Sequence, residues 1–229
     1  MQYVLDQLVP PIVRDSRWFM YLPMRFVLKN RVGDFMTFKE WVFTSSDRQF
    51  GALYERTADV SQLQGETDLN TECLNEILRL VQNKNVLDVG CGRGLLAERL
   101  SASNKVTACD VVIDDDVRAR FPAVTFERAN IECLPYGDDS FDVVVSTHTL
   151  EHVKNLSAAV SELRRVAKEA VVIVVPKQRP YKYTFSLHTQ FFPYEWSLEA
   201  AFGRGAGVSI KNLGGDWLYH QDLLARQTA

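Results

Sequence analysis

The 229-residue chain lacks several features that would each have fixed a class of protein. It has no cysteine pair spaced C-x-x-C. Its four cysteines, Cys73, Cys91, Cys109 and Cys133, stand apart, so packed, reduced thiols are expected. No run of eighteen apolar residues is present to cross a bilayer, and no signal-peptide pattern is visible at Met1, so a cytoplasmic protein is expected. Basic residues are not in excess. A net charge of −3 gives no electrostatic reason to expect a nucleic-acid polyanion as partner. With 46% hydrophobic and 24% charged residues, the composition is that of an ordinary globular chain long enough for a sizeable core.

What is present centres on Asn85 to Leu100. A short apolar run (Val86, Leu87, Val89) ends in Gly90-Cys91-Gly92-Arg93-Gly94, and a helical pattern follows with Leu95, Leu96 and Leu100 on one face. This reads as buried strand, tight loop and helix, the first half of a βαβ unit. Glycines there turn the chain with φ > 0 and let backbone N–H groups approach a ligand without a Cβ in the way. A helix N-terminus behind the loop favours an anionic group. The glycines fall as G-x-G-x-G, with Asp88 two residues ahead of the first, and not as the G-x-G-x-x-G of dinucleotide-binding folds. At this point the chain resembles the class I S-adenosylmethionine-dependent methyltransferases, whose first motif has the pattern of Leu87 to Gly94.

The resemblance implies S-adenosylmethionine as cofactor, held by Asp88, Gly90, Cys91, Gly92 and Gly94. Asp110 ends a second strand pattern, Lys105 to Val112, twenty residues beyond Gly90. An acid at that strand end can accept hydrogen bonds from both ribose hydroxyls, and the family's ribose position falls there, with Val111 beside it. A short third strand, Ala123 to Glu127, leads to Asn130-Ile131-Glu132-Cys133-Leu134-Pro135-Tyr136 and Asp138-Asp139-Ser140-Phe141-Asp142. These segments look like the family's D-x-x-x-L-P-F…S-F-D pattern, which contacts adenine. Asn130 stands where the family has an acid; its amide oxygen still accepts from an exocyclic amine. Asn130 and Ile131 are therefore expected at the adenine.

Phe141 to Ser146 is a continuous apolar run, as in a central parallel strand covered on both faces. Beyond it lies Thr147-His148-Thr149-Leu150-Glu151-His152-Val153, where the family often has L-E-H-V. Ligands of open α/β sheets bind at the carboxyl ends of strands, so Thr147 is expected at the cofactor and His148 and His152 at the reaction. These histidines admit three readings. One is a general base; another is a loop-orienting pair. The third is a divalent cation site with Glu151 and His188, which looks like the E-x-x-E-H arrangement of metal-dependent ribose 2′-O-methyltransferases.

Asn155 to Glu169 reads as an amphipathic helix with Arg164, Arg165 and Lys168 solvated, and Ala170 to Val175 as a buried strand stopped by Pro176. Lys177 to Pro193 is too polar for core and too aromatic for a plain linker. It reads as a substrate loop, with Lys177, Arg179 or Lys182 for an anion and Tyr181 and Tyr183 for a ring face. Glu195 to Phe202 is a helix; Val208 to Leu213 and Trp217 to Tyr219 are strand patterns. Thr71 to Gln82 is a helix ahead of the first core strand. The alternation gives an α/β, Rossmann-like doubly wound sandwich. The resemblance implies a mostly parallel seven-stranded sheet with an antiparallel last strand. Residues 71–229 would be the cofactor-binding domain.

Residues 1–70 would be a helical, aromatic cap or lid. Its texture of Trp18, Phe19, Arg25, Phe26 and Lys29 also suits weak contact with a membrane surface. Pro23 interrupts that stretch, and Phe50 to Tyr54 resembles the segment that closes over the cofactor, with Tyr54 its candidate contact. A sulfonium methyl is already electrophilic, whereas an alcohol acceptor needs a base or metal. The chain has histidines but no Asn-Pro-Pro-Tyr, so methylation of a small-molecule hydroxyl (sugar, glycolipid or natural-product precursor) is expected. Two rivals stand beside it: a metal-dependent RNA-terminal ribose 2′-O-methyltransferase and a non-catalytic cofactor-binding protein.

Overall fold

A computed structural model describes residues 9–61, 67–183 and 185–226. Seven strands form one sheet. In chain order they are β1 (Asn85–Val89), β2 (Lys105–Asp110), β3 (Thr125–Arg128), β4 (Phe141–Thr147), β5 (Ala167–Pro176), β6 (Val208–Leu213) and β7 (Asp216–Asp222). Their spatial order is β3-β2-β1-β4-β5-β7-β6. β1 pairs in parallel with both β2 and β4, so the order reverses on either side of it. β7, the last strand, runs antiparallel between β5 and β6. The crevice at such a reversal is where open α/β sheets take ligands.

The apolar runs of the central strands are continuous because alternate residues enter two different cores. Val171, Ile173 and Val175 of β5 join Leu87, Val89 and Val144 on one face. Val172 and Val174 join Val86, Val143 and Val145 on the other. The helices supply the opposing stripes. Their ranges are α5 (Thr71–Leu80), α6 (Leu95–Ser101), α7 (Asp115–Arg120), α8 (Leu156–Val166) and α9 (Glu195–Phe202). Cys73 and Ile77 of α5 and Leu96, Ala97 and Leu100 of α6 cover the second face. Ala159, Val160, Leu163 and Val166 of α8 and Leu198 and Phe202 of α9 cover the first. Asn70 caps α5 by accepting from Cys73 N–H at 2.9 Å. Truncating the fully buried Leu163 to alanine would cost about 2–5 kcal/mol.

The junction of α8 and β5 differs most from the sequence reading. α8 ends at Val166 and β5 begins at Ala167 with no loop between them, where the pattern suggests helix to Glu169. Pairing of Phe141 with Ala167, and of Ala170 with Asp222, recruits those residues to the sheet. Nor are Arg164 and Arg165 simply solvated. Arg164 donates to Gln221 Oε1 at 2.8 Å and to Phe202 O, tying α8 to β7 and α9. Arg165 donates to Glu162, Tyr136 O and Leu134 O, and so fixes the turn before β4.

Ahead of the sheet lie α1 (Pro11–Arg14), α2 (Arg17–Leu28), α3 (Val32–Trp41) and α4 (Asp47–Ser61). Met20, Met24 and Leu28 recur every fourth residue on α2 and pack with Phe35, Phe38 and Leu53. That stripe carries the helix through Pro23, which does not break it as its ring chemistry suggests. On the outer side Trp18 (76% exposed), Leu22 (71%) and Phe26 (84%) form an apolar row, with exposed Arg17, Arg25 and Lys29 around it. No helix among the described residues is long and apolar enough to cross a membrane.

Candidate functional site

β1 delivers the chain into a glycine turn whose backbone is anchored from below. Gly90 N–H and Cys91 N–H both donate to Cys109 O, at 2.8 and 3.1 Å, and Gly94 N–H donates to Cys91 O at 2.9 Å. Gly90, Gly92 and Gly94 have φ of 77, 50 and 75°. Their needs differ. A Cβ on Gly90 would lie 2.0 Å from Thr149 Oγ1, and one on Gly94 would lie 2.8 Å from the Phe126 ring. A Cβ on Gly92 would meet nothing within 4 Å. Two glycines thus pack against protein and the middle one faces open space.

That space is a cleft of ≈ 220 Å³ lined by Asp88, Gly90, Cys91, Gly92, Thr147 and His148, among others. Asp110, at the end of β2, reaches across to the turn. Its Oδ2 accepts from Gly92 N–H at 2.9 Å and its Oδ1 from Val112 N–H at 3.3 Å. Burial pushes its carboxyl above the ordinary range, against the pull of those N–H donors. Asp88 lies beneath, 1% exposed, with Oδ2 buried and lacking a hydrogen-bond partner. Burial, and secondarily Asp110, pushes the Asp88 carboxyl up to about 7. Cys91 is half-buried beside them, its thiol pushed well up by burial.

The remaining cofactor candidates sit on the β2 and β3 ends. Val111 is 49% exposed immediately after Asp110, an apolar surface at the strand terminus. Asn130 is exposed, and its Oδ1 accepts from Glu132 N–H at 2.9 Å. Ile131 is buried in the first core. Tyr54 lies on α4, but its side chain is outside the described residues.

Beyond β4 the chain turns sharply. His148 has φ 50°, and its N–H donates to Val174 O at 2.9 Å. Its ring lies between two carboxylates: Nδ1 is 3.4 Å from Glu151 Oε1, and Nε2 is 3.3 Å from Asp216 Oδ2. The second contact is too poorly aligned for a hydrogen bond and acts as an ion pair. Burial pulls the imidazole down, but the two carboxylates outweigh it and lift its pKa to about 10. For Glu151, 1% exposed, burial pushes up while His148 pulls down further, to about 2. Leu150–His152 forms a single 3-10 turn that brings His152 edge-on to His188, with ring centroids 4.7 Å apart. Burial holds His188 down at about 3, a neutral imidazole.

The loop after β5 departs from the sequence expectation. Gln178, Tyr181, Tyr183, Leu187, His188 and Phe192 are all buried. Tyr181 and Tyr183 are therefore packing residues and not open ring faces; Lys177, Arg179 and Lys182 stay exposed. The cap explains this. Arg14 donates to Pro180 O at 2.9 Å and lies over the Tyr181 ring at 4.8 Å. Lys39 donates to Tyr181 O, and Asp15 accepts from Lys182 N–H at 2.8 Å. Local sequence offered no sign of such distant partners. Asp216 and Gln178 were missed for the same reason. Asp216 is brought to His148 by the sheet order and Gln178 to His188 by the folding of the loop after β5, neither with a spacing motif of its own.

Residues 87–175 match the family model described as a methyltransferase domain. Over 106 residues the chain is 35% identical to a protein of Mycolicibacterium smegmatis named as an S-adenosylmethionine-dependent methyltransferase, covering 45% of this chain and 40% of that one. It is 35% identical over 136 residues to the malonyl-[acyl-carrier protein] O-methyltransferase of Halorhodospira halophila, covering 55% and 45% respectively. The chain thus spans less than half the length of these curated relatives. Among solved structures, the Burkholderia thailandensis 1,6-didemethyltoxoflavin-N1-methyltransferase, with bound substrate and S-adenosylhomocysteine, superposes with a TM-score of 0.57. It is 17% identical, with 78% of this chain and 90% of that one covered, a likeness of fold.

Proposed function

The chain carries a methyltransferase domain of the class I, S-adenosylmethionine-dependent type, and on that premise we propose that it transfers a methyl group to a hydroxyl of a small molecule such as a sugar, glycolipid or natural-product precursor. The observation that carries the donor side of this reading is the Asp110–Gly92 clamp beside the partnerless Asp88 Oδ2. A buried carboxylate oxygen without a donor suits a cationic amine, and the open side of Gly92 suits close backbone approach. The residues present fit the donor. Asp110 would accept from its ribose hydroxyls, Val111, Asn130 and Ile131 would border its adenine, and Gly90 to Gly94 with Thr147 would hold its amino-acid end. When bound, S-adenosylmethionine supplies an electrophilic sulfonium methyl that needs no activation by the protein.

The protein's work is then to orient the acceptor, exclude water and hold a proton. An amine acceptor need only be neutral, whereas a hydroxyl asks for a proton-accepting group. His152, directly beyond β4, is the candidate proton acceptor; His148, whose two carboxylate neighbours hold its proton, is the candidate to orient the acceptor. His148 borders the cleft, pinned by Glu151 and Asp216, and would position the acceptor side. In this reading residues 71–229 form the donor-binding domain and residues 1–70 the lid, with the exposed row of α2 available for weak membrane contact. The four free thiols accord with a cytoplasmic setting.

The test is incubation with methyl-labelled donor and a panel of sugar, phenol and amine acceptors, followed by mass spectrometry. Label on oxygen supports the assignment. Label confined to nitrogen would move the acceptor class, and calorimetric binding of NADH in place of the donor would overturn the reading as a whole.

A further inference from the structure

We infer that Glu151, His152 and His188 form a binding site for one divalent cation of the zinc, cobalt or manganese class. One donor atom from each of the three lies within 4.8 Å of the other two. Donors around a single such ion, at about 2.1 Å from it, sit roughly 3–3.5 Å apart, so modest side-chain rotations complete the set. Two imidazoles and one carboxylate are a donor set that first-row divalent metals accept, with coordination positions left over.

The surroundings of the three residues are those of metal ligands. His152 Nδ1 meets Leu187 O at 3.2 Å. A carbonyl can only accept, so the proton lies on Nδ1 and the lone pair on Nε2. His188 Nδ1 meets Gln178 Oε1 at 2.6 Å, and Gln178 Nε2 in turn donates to Tyr181 OH at 2.8 Å. With the amide oxygen toward the ring, His188 Nδ1 is the donor and its lone pair too lies on Nε2. Carbonyl-type acceptors behind both rings are the usual orienting shell of ligating histidines. Glu151 completes the set. His148 engages its Oε1, while Oε2 is buried without a hydrogen-bond partner. A buried carboxylate oxygen left so is costly, and a cation is the partner its setting lacks.

His148 itself is outside the set, because both its nitrogens face carboxylates. The site joins the turn after β4 to the loop after β5, two segments that also meet through Thr189 N–H to Glu151 O at 2.7 Å. A cation there would clamp the two loops. On the methyl-transfer reading above, its open position would take the acceptor's oxygen, and the cation would replace His152 as the group that makes that hydroxyl acidic; cation binding itself does not depend on that reading.

The test is calorimetric titration of the full chain with zinc or cobalt chloride, in the absence of donor and acceptor. One equivalent should bind, and H188Q and E151Q should each weaken it at least tenfold. H220Q, on β7 and outside the three-residue cluster, should leave it unchanged. Cobalt should show d–d bands without a sulfur charge-transfer band, which separates this site from the exposed Cys133. Circular dichroism would reveal a variant that fails to fold, and H152Q then replaces it. No binding, binding indifferent to these substitutions, or a thiolate band would overturn the assignment. Donor calorimetry on the same protein keeps a failure here distinct from a failure of the methyl-transfer reading.

Discussion

Asp110 Oδ2 accepts the backbone N–H of Gly92 at 2.9 Å, so the acid at the end of β2 clasps the middle of the turn that follows β1. One carboxylate thereby shapes the loop and, on the methyl-transfer reading, would also hold the donor's ribose. Asp110→Ala removes both roles and should weaken donor binding about 10–100-fold, the range expected for hydrogen bonds to a charged acceptor. Asp110→Asn keeps an oxygen for Gly92 and should lose less. Calorimetry with S-adenosylhomocysteine separates the two; equal, undiminished affinity in both would remove Asp110 from the donor site.

The three glycines of the turn should fail in different ways. Gly92→Ala carries only the left-handed penalty of about 1–2 kcal/mol, since its Cβ meets nothing within 4 Å. It should fold and bind donor poorly, and Gly92→Val more poorly still. Gly90→Ala drives its Cβ into Thr149 and should cost about 2–5 kcal/mol in all. Thr149→Gly in the same chain should recover part of that. Urea melts read the stability and calorimetry the affinity. A Gly92→Ala protein with unaltered affinity would show that the open side of the turn is not a ligand face.

This division between packing and ligand glycines was not legible in the sequence, although the turn itself was. Its spacing, the acid twenty residues on and the alternation of apolar strands with helices are local signals of a parallel α/β sandwich. The family resemblance adds seven strands with the last antiparallel, as the sheet has, while the strand order comes from the structure alone. The histidine segment was legible only in part. Spacing brought His148, Glu151 and His152 together, but Asp216, which pulls His148 away from the cluster, arrives from β7 by topology alone. The loop after β5 misled for a related reason. Tyr181 and Tyr183 look like exposed recognition residues until Arg14 and Lys39 of a remote cap bury them.

Asp88 makes stability depend on pH in an unusual direction. Its carboxyl is held at about 7 against an ordinary 3.8, so between those values the folded chain binds more protons than the unfolded one. Its contribution is therefore fullest below the ordinary value, falls as pH rises toward 7, and is level above. Asp88→Asn removes the buried charge. Above pH 7 the variant should be more stable than the parent by up to a few kcal/mol, at about 1.4 kcal/mol for each pH unit separating the folded and unfolded values. The gap should close toward pH 4. Urea midpoints across pH 4–8 measure this. The same variant should bind the donor more weakly, which a merely structural role for Asp88 would not require.

The cap should detach without unfolding the sheet. Arg14 is 2% exposed, yet it bonds the Pro180 carbonyl and covers the Tyr181 ring, so it links α1 to the loop after β5. Arg14→Met keeps much of the apolar stem and deletes the charged head. A hydrogen bond from a charged donor contributes about 1.5–3 kcal/mol, close to a tenfold or greater change in local opening. Trypsin should therefore cut within residues 14–56 at least tenfold faster in the variant. Amide exchange in β1, β4 and β5 should stay at its original rate, because among the described residues neither sheet core contains a side chain of α1 to α4. Faster exchange throughout the sheet would instead make cap and sheet a single cooperative unit, and the lid assignment of residues 1–70 would fall with it.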